Sequence, residues 1–101
     1  MRTLLIAAYA PELGTLSGRA VGVGLIAAAA GTERALAEER PAVVILVGTA
    51  GAQPGSNLPI GSIVVVARAR LIVRPEEYVP AILSALAEAD AELAAACAAT
   101  L

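Results

Sequence analysis

Between Pro41 and Gly48 the chain runs through Val43-Val44-Ile45-Leu46-Val47, five consecutive branched apolar residues with no polar interruption. A run that does not alternate predicts a strand covered on both faces, as in a parallel sheet. Breakers bound it on both sides. The residue before a proline avoids the helical region, so Pro41 closes whatever helix precedes it. The stretch Gly48-Thr49-Ala50-Gly51-Ala52-Gln53-Pro54-Gly55-Ser56-Asn57 is rich in turn residues and predicts a loop. Thr3-Leu4-Leu5-Ile6-Ala7-Ala8 has the same continuous apolar character and predicts a second buried strand.

Strands that run parallel need a crossover between them, and residues 25–39 supply one. This stretch is Ala-rich with strong helix formers, and its charges gather in the second half. Arg34 and Glu38 stand four apart there and are expected to pair on the solvent face. Pro11-Glu12-Leu13 predicts a short turn or helix, interrupted by Gly14 and Ser17-Gly18. Arg19-Ala20-Val21 predicts a brief strand leading into Gly22-Val23-Gly24. Ile60-Gly61-Ser62-Ile63-Val64-Val65-Val66 predicts another buried strand, continuing through Leu71-Ile72-Val73. A helix is expected from Pro80, with Ile82, Leu83, Leu86, Leu93 and Cys97 on one stripe. Asp90 offers an alternative start for a separate second helix. Strand, helix and strand in this order, with buried apolar strands, argue for an α/β fold on a mostly parallel sheet. With 101 residues the chain is expected to form a single domain, without internal repeats or a disordered linker.

Composition excludes several function classes. The hydrophobic fraction is 58%, with two Tyr and no Phe or Trp, so there is little aromatic surface on which bases could stack. Net charge is −2, and the basic residues, all Arg, are scattered. No basic stripe for nucleic acid results. Cys97 is the single cysteine and there is no His, so neither a disulfide nor a cysteine- or histidine-based metal site is expected. Any catalysis must use carboxylates, hydroxyls and backbone groups. Arg2, Leu4-Leu5-Ile6-Ala7-Ala8 and the Ala8-Tyr9-Ala10 triplet together imitate a secretory signal. The apolar run is at the lower limit of length, and a buried first strand accounts for it better. No apolar stretch reaches the roughly 18 residues of a membrane span. A cytoplasmic location without membrane contact is expected.

Two motifs carry chemistry. Gly22-Val23-Gly24 with Ala27 fits the G-x-G-x-x-A turn of dinucleotide folds. Such a site also requires an acidic residue near the end of the next strand, where this chain has Val47-Gly48-Thr49. The glycines are therefore better explained as a tight strand-to-helix turn. Gly48-Thr49-Ala50-Gly51 places small residues and one hydroxyl at the carboxyl edge of a sheet, where open α/β folds bind ligands. Taken alone, it is also an ordinary glycine-bearing turn.

Five elements in order narrow the choice: Glu12, Gly22-Val23-Gly24, Pro41-Ala42-Val43-Val44, Gly48-Thr49-Ala50-Gly51 and Ile60-Gly61-Ser62-Ile63-Val64-Val65. Together they resemble the nucleoside phosphorylase superfamily. Gly51-Ala52 followed by Pro54-Gly55-Ser56 looks closer to futalosine hydrolases than to methylthioadenosine/adenosylhomocysteine nucleosidases. The resemblance implies a three-layer α/β sandwich with a mostly parallel or mixed central sheet, in abbreviated form. It also implies a homo-oligomer acting on a small nucleoside, with no cofactor and no metal. By the same resemblance Glu12 would activate the water that attacks the anomeric carbon, a task suited to a carboxylate beside an oxocarbenium-like centre. Thr49, Ala50 and Gly51 would lie beside the ribose and base. Val23 would line the pocket for the 5′-substituent, and Tyr9 would flank the ribose. Hexameric bacterial phosphorylases carry an Arg three residues before the Ser/Thr to bind phosphate. Here that position is Leu46, which favours water as the nucleophile.

The chain departs from the family pattern in two ways. Nine residues separate Glu12 from Gly22 where the family has a much longer segment, so a shortened sheet is expected. The resemblance spans about the first two thirds of the chain and under half of a family enzyme. The family's second half supplies a glutamate for the ribose hydroxyls and an aspartate that protonates the purine. Glu76, Glu77, Glu88, Asp90 and Glu92 match neither and are expected as exposed charges. An N-terminal portion of the family fold is the expectation. Its activity would be hydrolysis of an N-glycosidic bond. The alternatives are a non-catalytic nucleoside-binding or assembly module, an incomplete fragment, and a purine nucleoside phosphorylase.

Overall fold

The computed structural model describes residues 2–70 and 86–100, which fall into two compact units, Met1–Gln53 and Pro54–Leu101. In the first unit the chain forms β1 (Thr3–Ala7), a 3-10 turn (Ala10–Leu13), β2 (Arg19–Ala20), helix α1 (Leu25–Glu39) and β3 (Val43–Leu46). The three strands form a parallel sheet in the order β2-β1-β3. The fold is α/β, and the buried run at residues 3–8 takes the central place. Its side chains explain why: Leu4, Ile6 and Ala7 are buried. β1 and β3 pair in register from Thr3 opposite Val43 to Ile6 opposite Leu46. β1 and β2 pair at Ile6 opposite Arg19 and Ala7 opposite Ala20.

α1 returns the chain from the end of β2 to the start of β3. Its half-buried or buried residues are Ala28, Gly31, Thr32, Ala35 and Glu39, one face at helical spacing. That face is made of small side chains, so the helix comes down almost onto the backbone. Ala35 is fully buried and clusters with Leu4, Ile6 and Val21. A Cβ on Gly31 would run into the carbonyl oxygen of Val21. The larger Leu25 and Ile26 lie on the exposed side. At its end, α1 is capped by Arg40 in the left-handed conformation, φ 46°, whose N–H donates to the Leu36 carbonyl. Pro41 follows, as expected of a terminator.

The charges of α1 settle differently from the expectation. Glu38 does not pair with Arg34. It accepts a hydrogen bond of 2.7 Å from Arg19 Nη1, and Arg19 also lies 3.7 Å from Glu39. Arg2, just before β1, pairs with Glu39 as well. Arg19 is the more buried partner, its side chain 30% exposed, so its pair with Glu38 is less screened than one along the open helix surface. These are partly exposed pairs worth at most about 1 kcal/mol each.

The second unit contains β4 (Arg68–Arg70), β5 (Leu86–Glu88) and helix α2 (Ala91–Ala99). β4 and β5 pair antiparallel, Arg68 opposite Glu88 and Arg70 opposite Leu86. Asp90 starts α2: its Oδ1 accepts from the Leu93 N–H at 2.9 Å, the expected N-cap geometry. Leu93, Ala94 and Cys97 form its half-buried face. The single stripe expected through Leu86, Leu93 and Cys97 is therefore split, since Leu86 belongs to a strand. The expected helix start at Pro80, with Ile82 and Leu83, and the continuation at Leu71-Ile72-Val73 lie outside the described residues, as do Glu76 and Glu77.

The strand expected at Ile60–Val66 is corrected. Residues 60–66 are exposed and form no ladder. Ser62 turns back on Pro59, donating to its carbonyl from both N–H (3.1 Å) and Oγ (2.7 Å), and Gly61 sits at φ +92°. This turn consumes the first half of the run. The rest has the right composition but no partner strand among the described residues, and a strand without one leaves its backbone groups to water. Among the described residues no helix is long and apolar enough to cross a membrane.

Close approach of α1 to β2 makes Gly31 a sensitive position. Gly31→Ala ordinarily gains about 0.8–1 kcal/mol of helix propensity. Here the clash with Val21 should reverse the sign and cost about 1–3 kcal/mol. Urea denaturation checks this: a midpoint for Gly31→Ala equal to or above that of the parent would contradict the packing described.

Candidate functional site

Parallel strands align their carboxyl ends, so the segments that follow β1, β2 and β3 leave the same edge of the sheet. After β2, the Val21 and Gly22 N–H groups continue the ladder to the Ala7 and Ala8 carbonyls, at 2.8 and 3.1 Å. After β3, the Val47 N–H does the same to Ile6 at 2.9 Å. Beyond these last bonds the three segments leave the sheet. They carry Tyr9 and Glu12, then Val23, then Thr49, Ala50 and Gly51, so every sequence-predicted site residue emerges from one edge.

Glu12 lies in the 3-10 turn. Pro11 near its start presets a turn-compatible φ, and the Glu12 N–H donates to the Tyr9 carbonyl at 3.0 Å. The turn directs the half-buried Glu12 side chain toward the end of β3. There Glu12 Oε2 accepts from the Thr49 N–H at 2.9 Å and from Thr49 Oγ1 at 3.1 Å. Hydrogen bonds to a carboxylate are short and strong relative to neutral ones. Oε1 makes no hydrogen bond among the described residues. Gly48 contributes room, because a Cβ there would stand 3.3 Å from Glu12 Oε2.

The other predicted residues frame this pair without touching it by hydrogen bonds. Tyr9 precedes the 3-10 turn with its ring exposed, and Val23 is exposed in the turn between Gly22 and Gly24. Gly22, at φ +122°, could not carry a side chain without striking Ala27. Ala50 and Gly51 are exposed. Among the described residues the arrangement is an open edge with one anchored carboxylate. A shallow cavity of about 300 Å³ lies elsewhere, in the second unit, lined by Ala67, Arg68, Glu88, Ala89, Ala91 and Ala94. Its mostly alanine lining offers little chemistry. Among the described residues no cluster of three or more Cys, Asp or Glu is placed to hold a metal ion.

Sequence reasoning missed one feature, the role of Gly48 as the clearance for Glu12. Its signal was present in the Gly-Thr pair directly after the strand, but the partner lies 36 positions earlier. Comparison of the chain with protein-family models, curated proteins and solved structures gives no match.

The Glu12–Thr49 contact predicts a measurable local effect. In Glu12→Ala the Thr49 amide loses its acceptor, and its hydrogen exchange should accelerate by about 10-fold or more, the equivalent of one charged hydrogen bond. Amide exchange followed by NMR tests it. Unchanged protection at Thr49, with β3 equally unchanged, would show that the contact does not form in solution.

Proposed function

We propose that this chain is a nucleosidase-type protein that hydrolyses the N-glycosidic bond of a purine-type nucleoside, with Glu12 as the base that activates water. The observation that carries the proposal is the anchoring of Glu12 Oε2 by both donors of Thr49 at the carboxyl edge of a parallel sheet. Two elements of the ordered motif set, 37 positions apart, meet in one hydrogen-bonded unit.

The chemistry follows from that geometry. With Oε2 held by two donors, the carboxylate has a fixed direction, and Oε1 is left to accept a proton. Water bonded to Oε1 becomes more nucleophilic as the glycosidic bond stretches and positive charge grows on the sugar. A carboxylate near that charge also stabilises it electrostatically. The small Ala50 and Gly51 would let a ribose and base approach the strand end, with Tyr9 and Val23 as apolar flanks. Leu46 supplies no charge for a phosphate dianion, which favours hydrolysis over phosphorolysis. The same reading extends the observed α/β sheet to an abbreviated three-layer fold of the nucleoside phosphorylase type. It places the protein in the cytoplasm as a homo-oligomer acting on a small nucleoside such as futalosine or methylthioadenosine, without a cofactor. No described residue is assigned to protonate the departing base, so turnover should be slower by about 10²–10⁴-fold than with a positioned general acid.

The test is release of free purine base from futalosine and from methylthioadenosine, followed chromatographically at high protein concentration. The parent chain should release base, and Glu12→Gln should lower the rate by about 10²–10⁴-fold. No release by the parent chain, or equal release by Glu12→Gln, defeats the proposal.

A further inference from the structure

Gly48 and Gly51 bracket Thr49 and Ala50 just beyond β3, and a glycine at a strand end ordinarily serves the close approach of a ligand. Their surroundings separate the two. Neither adopts a left-handed φ, so backbone conformation requires glycine at neither position. A Cβ on Gly51 would meet nothing within 4 Å. A Cβ on Gly48 would meet Glu12. The three atoms nearest to it all belong to that carboxyl group: Oε2 at 3.3 Å, Cδ at 3.9 Å and Oε1 at 4.0 Å. The carboxyl group thus faces the bare side of Gly48, with Oε2 closest.

That oxygen has little freedom to yield, because the Thr49 N–H and Oγ1 hold it at 2.9 and 3.1 Å. A methyl at position 48 would require Oε2 to shift by a few tenths of an ångström, which stretches one or both of these bonds. Swinging the carboxyl group away gives them up altogether. We infer that Gly48 is a positioning residue for Glu12: its missing side chain lets the carboxylate keep both Thr49 donors on Oε2 and leaves Oε1 to act. Gly51 has no part in this, and its open side is the one free for a ligand. The consequence for catalysis rests on the reading of Glu12 as the base, whereas the placement of the carboxylate does not. In that reaction a displaced base meets its water in a poorer geometry, so kcat falls. KM is set by contacts elsewhere on the edge and stays.

Amide exchange of the full chain by NMR, in a double-mutant cycle of Gly48→Ala with Glu12→Ala, tests the placement. In the parent background Gly48→Ala should accelerate exchange of the Thr49 amide by about threefold or more, with β3 protection retained. In the Glu12→Ala background the methyl has no carboxylate to meet. There it only restricts the open chain, and Thr49 exchange should hold or slow. Gly51→Ala should not accelerate it in either background. In release of free purine base, Gly48→Ala should lower kcat by about 10-fold at unchanged KM. Added to Glu12→Gln, it should lower kcat no further. Thr49 exchange that is not accelerated by Gly48→Ala in the parent background overturns the inference. Acceleration of equal size in both backgrounds does so too, because the methyl would then act on the backbone. So does an unchanged kcat for Gly48→Ala where Glu12→Gln is slow. Should the parent and Glu12→Gln release base equally, the reading of Glu12 as base fails instead, and the exchange cycle alone decides the placement.

Discussion

The parallel pairing of β1 with β3 is the constraint from which the rest of the first unit follows. Both runs are apolar and unbroken, but among the described residues only β1 is flanked by strands on both edges; β3 keeps Val44 and Leu46 exposed, against the expectation of cover on both faces. Pairing them in the same direction requires the chain to travel back to the starting edge, which only a long crossover allows. α1 is that crossover. Once the two strands lie in register from Thr3–Val43 to Ile6–Leu46, their ends leave the sheet side by side. Glu12, five residues beyond β1 in the 3-10 turn, and Thr49, three beyond β3, then meet.

The crossover is held by close approach more than by bulk. A helix face of Ala28, Gly31, Thr32 and Ala35 buries little area per residue, but Gly31 lets the helix lie against the Val21 backbone just beyond β2. Dispersion contacts at short range replace the larger side chains that a thicker core would use. The ion pairs of Arg2 and Arg19 with Glu38 and Glu39 add direction at the helix end, where the chain must turn into β3. They contribute little energy.

Much of this was legible from local pattern. The limits of α1, 25–39, followed from the Gly-Val-Gly turn before it and Pro41 after it, both of which act within a residue or two. The strands at 3–7 and 43–46 followed from unbroken branched runs. Asp90 as a cap, offered only as the alternative to one stripe through Leu86, rests on one side chain and one N–H three residues on. Composition misled at Ile60–Val66, where β-branched residues promise a strand but a Pro59–Ser62 turn removes its start. Strand formation is a property of pairs, and no local pattern supplies the second member. Arg34 and Glu38 failed for the same reason: helical spacing permits their pairing, but a competing Arg19 becomes visible only once β2 is placed.

Local stereochemistry therefore determined the elements: where helix and strand begin, where proline and glycine end them, and which residues leave each strand end. Tertiary structure alone decided which ends meet. Glu12 and Thr49 are ordinary residues in their own segments, a carboxylate in a turn and a hydroxyl in a loop. They become one hydrogen-bonded site because strands paired across the chain superimpose segments 37 positions apart, and no interaction within either segment encodes that distance.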